Sequence, residues 1–313
     1  MRRVLPTALL AAALFACASP GERKDGGEAA APAGPPPLVD PAPPGTIHRT
    51  SRPTDFAAMV EELVKADVVY VGETHDDRAH HELQLQVLQA LAERGRLHGI
   101  GMEMFQRPFQ AALDAYVEHR IEEEELLERT EWRKRWGFDF ALYRPILEFA
   151  RERRIPVIAL NVPDEVRKHV REGGLAAVPE EMRARLPAVY TGDEEHRAFV
   201  REAFRGHLQE GEAFDEARFD RFYLAMCLWD DVMADSVVRW FEAAPKDAQI
   251  VVCAGGGHMA NRYGVPARAF RRNGRSYAVV VPVAVKAGEP VDREVFASAY
   301  ADFVVLTGGP EGK

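Results

Sequence analysis

The sequence predicts an α/β fold: a mostly parallel β-sheet flanked by helices, with a smaller inserted helical subdomain. Three observations predict it. Apolar runs of strand length recur along the chain, amphipathic helical stretches separate them, and the runs are nearly continuous rather than alternating, as in strands covered on both faces. With 313 residues and 47% hydrophobic content, the chain is long enough to bury a sizeable core.

The first 17 residues, "MRRVLPTALLAAALFAC", place two arginines before an apolar run that is too short to span a bilayer, the layout of an export signal. Leu14-Phe15-Ala16-Cys17 has the form of a lipobox, so Cys17 is expected to carry lipid and hold the exported protein to the cell envelope, at the outer membrane. The alternative is an ordinary secretory signal in which Cys17 is a late apolar residue. Residues 18–50, rich in Pro, Gly and Ala, hold too little apolar surface to offset the entropy of ordering them and read as a tether.

A folded domain is expected over 51–305, followed by a tail at 306–313. "DFAAMVEELVKA" (55–66) has helical spacing, "DVVYVG" (67–72) is a strand, and residues 79–94 align Leu83, Val87, Leu88 and Leu91 on one helical stripe. "LHGIGMEMF" (97–105) is the second strand, about 30 residues on, the length of a βαβ unit. "RRIPVIALNVP" (153–163) and "AQIVVCAGGGH" (248–258) give a third and fourth, each after an amphipathic helix. "RSYAVVVPVAV" (275–285) and "FVVLT" (303–307) are expected as edge strands. Residues 106–138, and especially 164–224, are long, charged and helical, so an insertion is placed at about 164–224, over one edge of the sheet.

A net charge of −9 excludes a nucleic-acid footprint, which needs a clustered basic face, and "RKR" at 133–135 reads as solvated helix surface. Cys227 and Cys253 sit in apolar contexts and read as buried free thiols.

The chemistry gathers at strand ends. The four strands finish in Glu73 and His75, in Glu103, in Asn161, and in Gly255-Gly256-Gly257-His258. In an open parallel sheet, ligands bind beyond the carboxyl ends of the strands, so these side chains should converge. Thr74, Asp76 and Asp77 also fit simple helix caps. His80 and His81 are expected on the exposed first turn of a helix. The triple glycine lacks phosphate-loop spacing and reads as a tight turn that presents His258.

"GETHDD", "GMEMFQRPFQ", "YRPILEFAR", "IPVIALNVP", "LWDDVMADSV" and "AGGGHMANRYGVP" together resemble the ChaN-like haem-binding uptake lipoproteins, a branch of the Tiki superfamily that is also similar to TraB and erythromycin esterase. The resemblance covers roughly residues 45–285. It implies an α/β sheet domain with a smaller helical domain, and haem bound at or near the outer membrane beside a haem receptor. It also places Glu73, His75, Glu103, Tyr143, Arg144, Asp230 and His258 around the pocket, leaves the iron ligand open and is compatible with a homodimer. The same residues have other uses. His75, Glu103 and His258, with Glu73, could hold Zn²⁺, Mn²⁺ or Fe²⁺ in a hydrolase, or His75 could act without metal as a general base oriented by Glu73 or Glu103. Haem needs an apolar slot, an iron ligand and cations for its propionates, for which Tyr143 with Arg144, His258, Trp136, Trp229 and the His80-His81 pair are the candidates. The tryptophans also fit plain core, and Arg144 an ordinary salt bridge.

Overall fold

The structure is a computed structural model that describes residues 45–49, 52–206, 208–209, 212–286 and 290–308. The expected signal, Cys17 and most of the tether lie outside the described residues. After two three-residue strands, β1 (Ile47–Arg49) and β2 (Arg52–Thr54), the chain alternates helix and strand through α1 (Phe56–Leu63), β3 (Val68–Glu73), α2 (Arg78–Glu93) and β4 (Leu97–Gln106). Then come α3 (Gln110–Val117), α4 (Glu123–Arg129), α5 (Trp132–Arg135), α6 (Arg144–Arg153) and β5 (Val157–Asn161). A helical stretch follows: α7 (Asp164–Gly173), α8 (Glu180–Arg183), α9 (Glu194–Arg205) and α10 (Glu216–Ala243). β6 (Gln249–Gly255), α11 (Gly256–Met259), α12 (Val265–Asn273), β7 (Tyr277–Val285) and β8 (Phe303–Gly308) close the chain. Acidic side chains start several helices by accepting from first-turn amides: Asp55 for α1, Asp77 for α2, Asp193 for α9 and Asp215 for α10. Each such cap contributes about 1 kcal/mol.

The strands form one eight-stranded sheet in the order β2-β1-β8-β7-β3-β6-β4-β5. From β8 to β5 all neighbours are parallel, while β1 runs antiparallel to β8 and β2. Alternate residues serve opposite faces, as the pleat requires. Val68 and Tyr70 of β3 join a core with α7, α9, α10 and α12, and Val69 and Val71 join the other core, with α1 to α6.

Several expectations are corrected. β7 lies between β8 and β3, and β8 between β7 and β1, so neither is an edge; β2 and β5 are. A strand covered on both sides must be apolar throughout, which is what "YAVVVPVAV" is. The sheet begins at Ile47, inside the expected tether, and runs to Gly308, inside the expected tail. The helices of 164–224 lie between β5 and β6 and pack on the sheet, where Val166, Val170, Phe199 and Phe219 share one core with Ile250, Val252 and Val279.

Candidate functional site

The carboxyl edge of the sheet assembles a buried cluster of acids and imidazoles. β3 ends in Glu73, and the turn after it folds His75 back so that its Nδ1 is hydrogen-bonded to Glu73 Oε1. β4 contributes Glu103, whose Oε2 accepts from the Gly255 amide at 2.6 Å across to β6. The turn at Gly255-Gly256-Gly257 leads into α11, which presents His258. Its Nδ1 meets Asp230 Oδ1 of α10 at 2.6 Å, and its Nε2 stands 3.5 Å from Glu103 Oε1. The turn can approach β3 because of small residues, since a Cβ on Gly72 would meet the Gly256 Cα at 3.2 Å. Glu73, His75, Glu103, Asp230 and His258 are all between 0% and 2% exposed.

Aromatic rings close the cluster. Trp136 packs on His75 with ring centroids 4.6 Å apart, Trp229 on His258 at 5.0 Å, and neither indole N–H has a hydrogen-bond partner among the described residues. The tryptophans are therefore buried, as core would be, and line the site as well. Tyr143 OH donates to the His75 carbonyl at 2.7 Å, so Tyr143 belongs to the cluster. Arg144 does not: its guanidinium pairs with Glu123 at 2.7 Å and is partly exposed. Asn161 Nδ2 donates to the Glu103 carbonyl at 2.8 Å and steadies the backbone there. His80 and His81, expected on the surface, are buried. The start of α2 lies beneath the sheet edge, where His80 Nδ1 accepts from the Thr74 amide at 2.9 Å and its Nε2 reaches Thr307 Oγ1 of β8 at 3.0 Å. His81 Nε2 reaches the His75 carbonyl at 3.1 Å. Asp77 is the cap it resembles, and Cys227 and Cys253 are buried free thiols.

Burial disfavours charge on every member, and close pairing overrides it for the dyads. His75 is pushed up to about 9 because the Glu73 carboxylate outweighs its desolvation, and Glu73 in turn stays below its ordinary range. His258 is raised against its burial by Glu103 and Asp230, and Asp230 is lowered by His258. The result is two carboxylate–histidine pairs, Glu73 with His75 and Asp230 with His258, with Glu103 beside His258. Glu73, His75 and Glu103 offer ligand atoms that all lie within 4.8 Å of one another; His258, which the sequence reading grouped with His75 and Glu103 around a metal, stands outside that set.

Behind Asp230 lies a network the sequence reading missed. Fully buried Arg268 of α12 hydrogen-bonds to Asp231 and donates to the Tyr190 carbonyl at 2.8 Å, while its Nε sits 3.7 Å from Asp230 Oδ2. Its Nη2 reaches His196 Nδ1 at 3.2 Å, and Arg272 holds the other Asp231 oxygen at 2.6 Å. The available signal was the adjacent pair Asp230-Asp231 in the otherwise apolar "CLWDDVMA", which demands buried cations. His196 is driven down to about 4 by burial, which Asp230 only partly offsets. Its depressed folded value means the unfolded chain takes up the proton first. Stability is thus complete above 6.5 and is lost as pH falls from there towards 4, by about 3 kcal/mol. Melting temperature measured from pH 7 to pH 4 should show this limb, and His196→Gln should flatten it; an unchanged limb in the variant would assign the loss to other groups.

A separate cleft of about 670 Å³ opens where the segments after β4 and β5 face α8 and α10. Its apolar wall includes Val166, Met182, Leu186 and Val232, and Arg107, Arg185 and Arg239 stand at its margin. Arg107 and Arg239 share Asp235, at 2.7 and 2.8 Å, whereas the Arg185 side chain has no ion-pair partner among the described residues. No described helix is long and apolar enough to cross a membrane.

Residues 59–269 match the family described as haem-binding uptake, Tiki superfamily, ChaN. Among solved structures, the fold is similar to that of ChaN of Campylobacter jejuni, a structure titled for cofacial haem binding, with a TM-score of 0.63 and 20% identity over 84% of this chain and 97% of that one. An erythromycin esterase mutant, EreC, is more distant, at TM-score 0.45 and 13% identity over 82% of this chain and 80% of that one. A curated relative, protein RETICULATA-RELATED 5 of Arabidopsis thaliana, a chloroplastic protein, is 28% identical over 140 residues, which are 41% of this chain and only 18% of that protein's length.

Proposed function

The chain belongs to the ChaN family of haem-binding uptake proteins in the Tiki superfamily, and from that membership we propose that it binds an iron porphyrin for iron uptake at the cell envelope. The family match over residues 59–269 carries the reading. A porphyrin is a broad apolar plate with two carboxylates at one edge, so it needs an apolar slot with cations beside it. The strand-end cluster does not fit that shape, because its acids and imidazoles are at most 2% exposed and closed over by Trp136 and Trp229. The cleft fits better. It has apolar walls, adequate volume and, in Arg185, a cation free to meet a propionate. In this reading Cys17 carries the lipid anchor, the tether reaches from the membrane to the sheet domain, and an outer-membrane haem receptor and a second copy of the chain are the partners.

Hemin added to the full chain should give a Soret band shifted from that of free hemin and saturating at a simple ratio. Arg185→Glu should weaken binding several-fold, and Arg144→Ala should leave it unchanged. No saturable band shift would reject porphyrin binding, and sensitivity to Arg144 instead of Arg185 would move the site away from the cleft. In a bacterial host the chain should fractionate with membranes and Cys17→Ser should release it, since lipid on Cys17 supplies the anchor; wild-type chain found wholly in the soluble fraction would remove the anchor from the scheme.

A further inference from the structure

We propose that residues 131–138 form a gate over the buried cluster, with Trp136 as its plug and the Arg135–Glu165 ion pair as its latch, and that a carboxylate carried into the cleft releases it. The gate stands on geometry alone; only its release rests on the porphyrin reading.

The cluster is sealed but unfinished. Glu73 Oε2, Glu103 Oε1 and Asp230 Oδ2 are buried without a hydrogen bond to any described residue. Acceptors left unsatisfied away from water are costly, so these atoms mark a site that meets a donor from outside and needs a way in.

The two covering tryptophans differ in how they are held. Trp229 belongs to α10, a helix of 28 residues packed against β5, α7 and α12, and moves only with them. Trp136 follows α5, a single turn of four residues, too short to hold itself together. The backbone on either side is left-handed, with φ 51° at Glu131 and 83° at Gly137, which sets the turn apart from α4 and from the chain beyond. Trp132 anchors the turn on Phe105, Phe140 and Tyr143, at 5.1 to 5.3 Å between ring centroids. Past that anchor the Trp136 and Gly137 amides both donate to the Trp132 carbonyl, at 2.9 and 3.0 Å. Lifting Trp136 from His75 breaks these two bonds and brings its unpaired indole N–H to water.

Arg135, beside the plug, holds the closed position. Its Nη1 donates to Glu165 at 2.8 Å and to Gln106 Oε1 at 3.1 Å, tying α5 to α7 and to the end of β4. The Glu165 side chain is 49% exposed, so the pair is screened and readily exchanged, as a latch must be. Glu165 also lines the cleft. A ligand carboxylate entering there, such as a porphyrin propionate, competes with Glu165 for Arg135. When Arg135 turns to the ligand, α5 loses its tie to α7 and Trp136 is free to lift.

The test follows hydrogen exchange by mass spectrometry in the full chain, with hydroxyl-radical oxidation of Trp136 as a second readout in the absence of hemin. Glu165→Gln should speed exchange of the Trp136 and Gly137 amides several-fold and raise oxidation of Trp136, leaving Trp229 and the β6 amides as in the wild type. Saturating hemin should speed the same amides in the wild type and add nothing in Glu165→Gln. No change in Glu165→Gln, or a change shared by Trp229 and β6, would overturn the gate. Hemin that gives a shifted Soret band yet leaves these amides unchanged or slower would overturn the release while the porphyrin reading stands. Hemin that gives no shifted band would reject the porphyrin reading and the release with it, and the gate would still be decided by Glu165→Gln.

Discussion

Arg268→Ala is expected to destabilise the protein by about 3–5 kcal/mol, because it leaves buried carboxylates short of their counter-charge. Arg268 is wholly buried, hydrogen-bonds to Asp231 and the Tyr190 carbonyl, and faces Asp230 and His196. After its removal Asp231 keeps Arg272 and the Tyr190 amide, at 2.6 and 2.8 Å, whereas Asp230 relies on His258. For a chain of this size the loss corresponds to roughly 10 °C in melting temperature. Arg272→Ala, at a partly exposed position on the same aspartate, should cost less. Thermal unfolding of both variants checks the order; Arg268→Met, which keeps most of the volume, separates lost charge from lost packing. If Arg268→Met is as stable as the wild type, the cation does not stabilise the network.

Gly264→Ala should be comparably damaging, for a steric reason. A Cβ at that position would stand 2.3 Å from the His258 carbonyl oxygen and 3.1 Å from Asp230 Oδ1, and the obstacle is backbone that has no rotamer to escape into. The chain must shift where His258 meets Asp230, so the variant should lose about 3 kcal/mol or more and disturb the His258 imidazole resonance in NMR. Gly274→Ala is the comparison: its φ of +65° is strained for alanine, but nothing lies within 4 Å, so it should cost about 1 kcal/mol. A loss at Gly264 no larger than that at Gly274 would mean that a small backbone shift relieves the clash.

The parallel strands were legible because burial on both faces writes itself as an unbroken apolar run, and their ends predicted where Glu73, His75, Glu103 and His258 meet. Strand order was not legible, since a run such as "YAVVVPVAV" says that it is covered but not by which neighbours. β1 and β2 escaped notice because "IHR" and "RPT" are too short and polar to show a period. His80 and His81 looked like a solvated helix start; His80 instead meets Thr307, 227 residues away, and His81 packs on Tyr143. Arg144 went the other way. Its neighbour Tyr143 turns inward, but one residue along the chain the side chain faces Glu123 and solvent. His196 and Arg268 were hidden because a buried ion network is defined by partners distant in sequence; Asp231, beside Asp230 in the apolar "CLWDDVMA", carried its one local sign.

The position of β6 sets the order of events during synthesis. It fills the gap between β3 and β4, pairing Val68 with Ile250 and Ile100 with Val251, yet it is made long after both. At the usual rate of translation, β3 and β4 wait on the order of ten seconds with facing edges unpaired. A nascent chain that stops short of Gln249 therefore has β4 and β5 as a pair but β3 without either of its neighbours, β6 and β7, and the contacts that complete the sheet are among the least local in the molecule. Such a chain cannot complete its sheet while the carboxyl-terminal fifth is missing, so the core stays open until late in its synthesis.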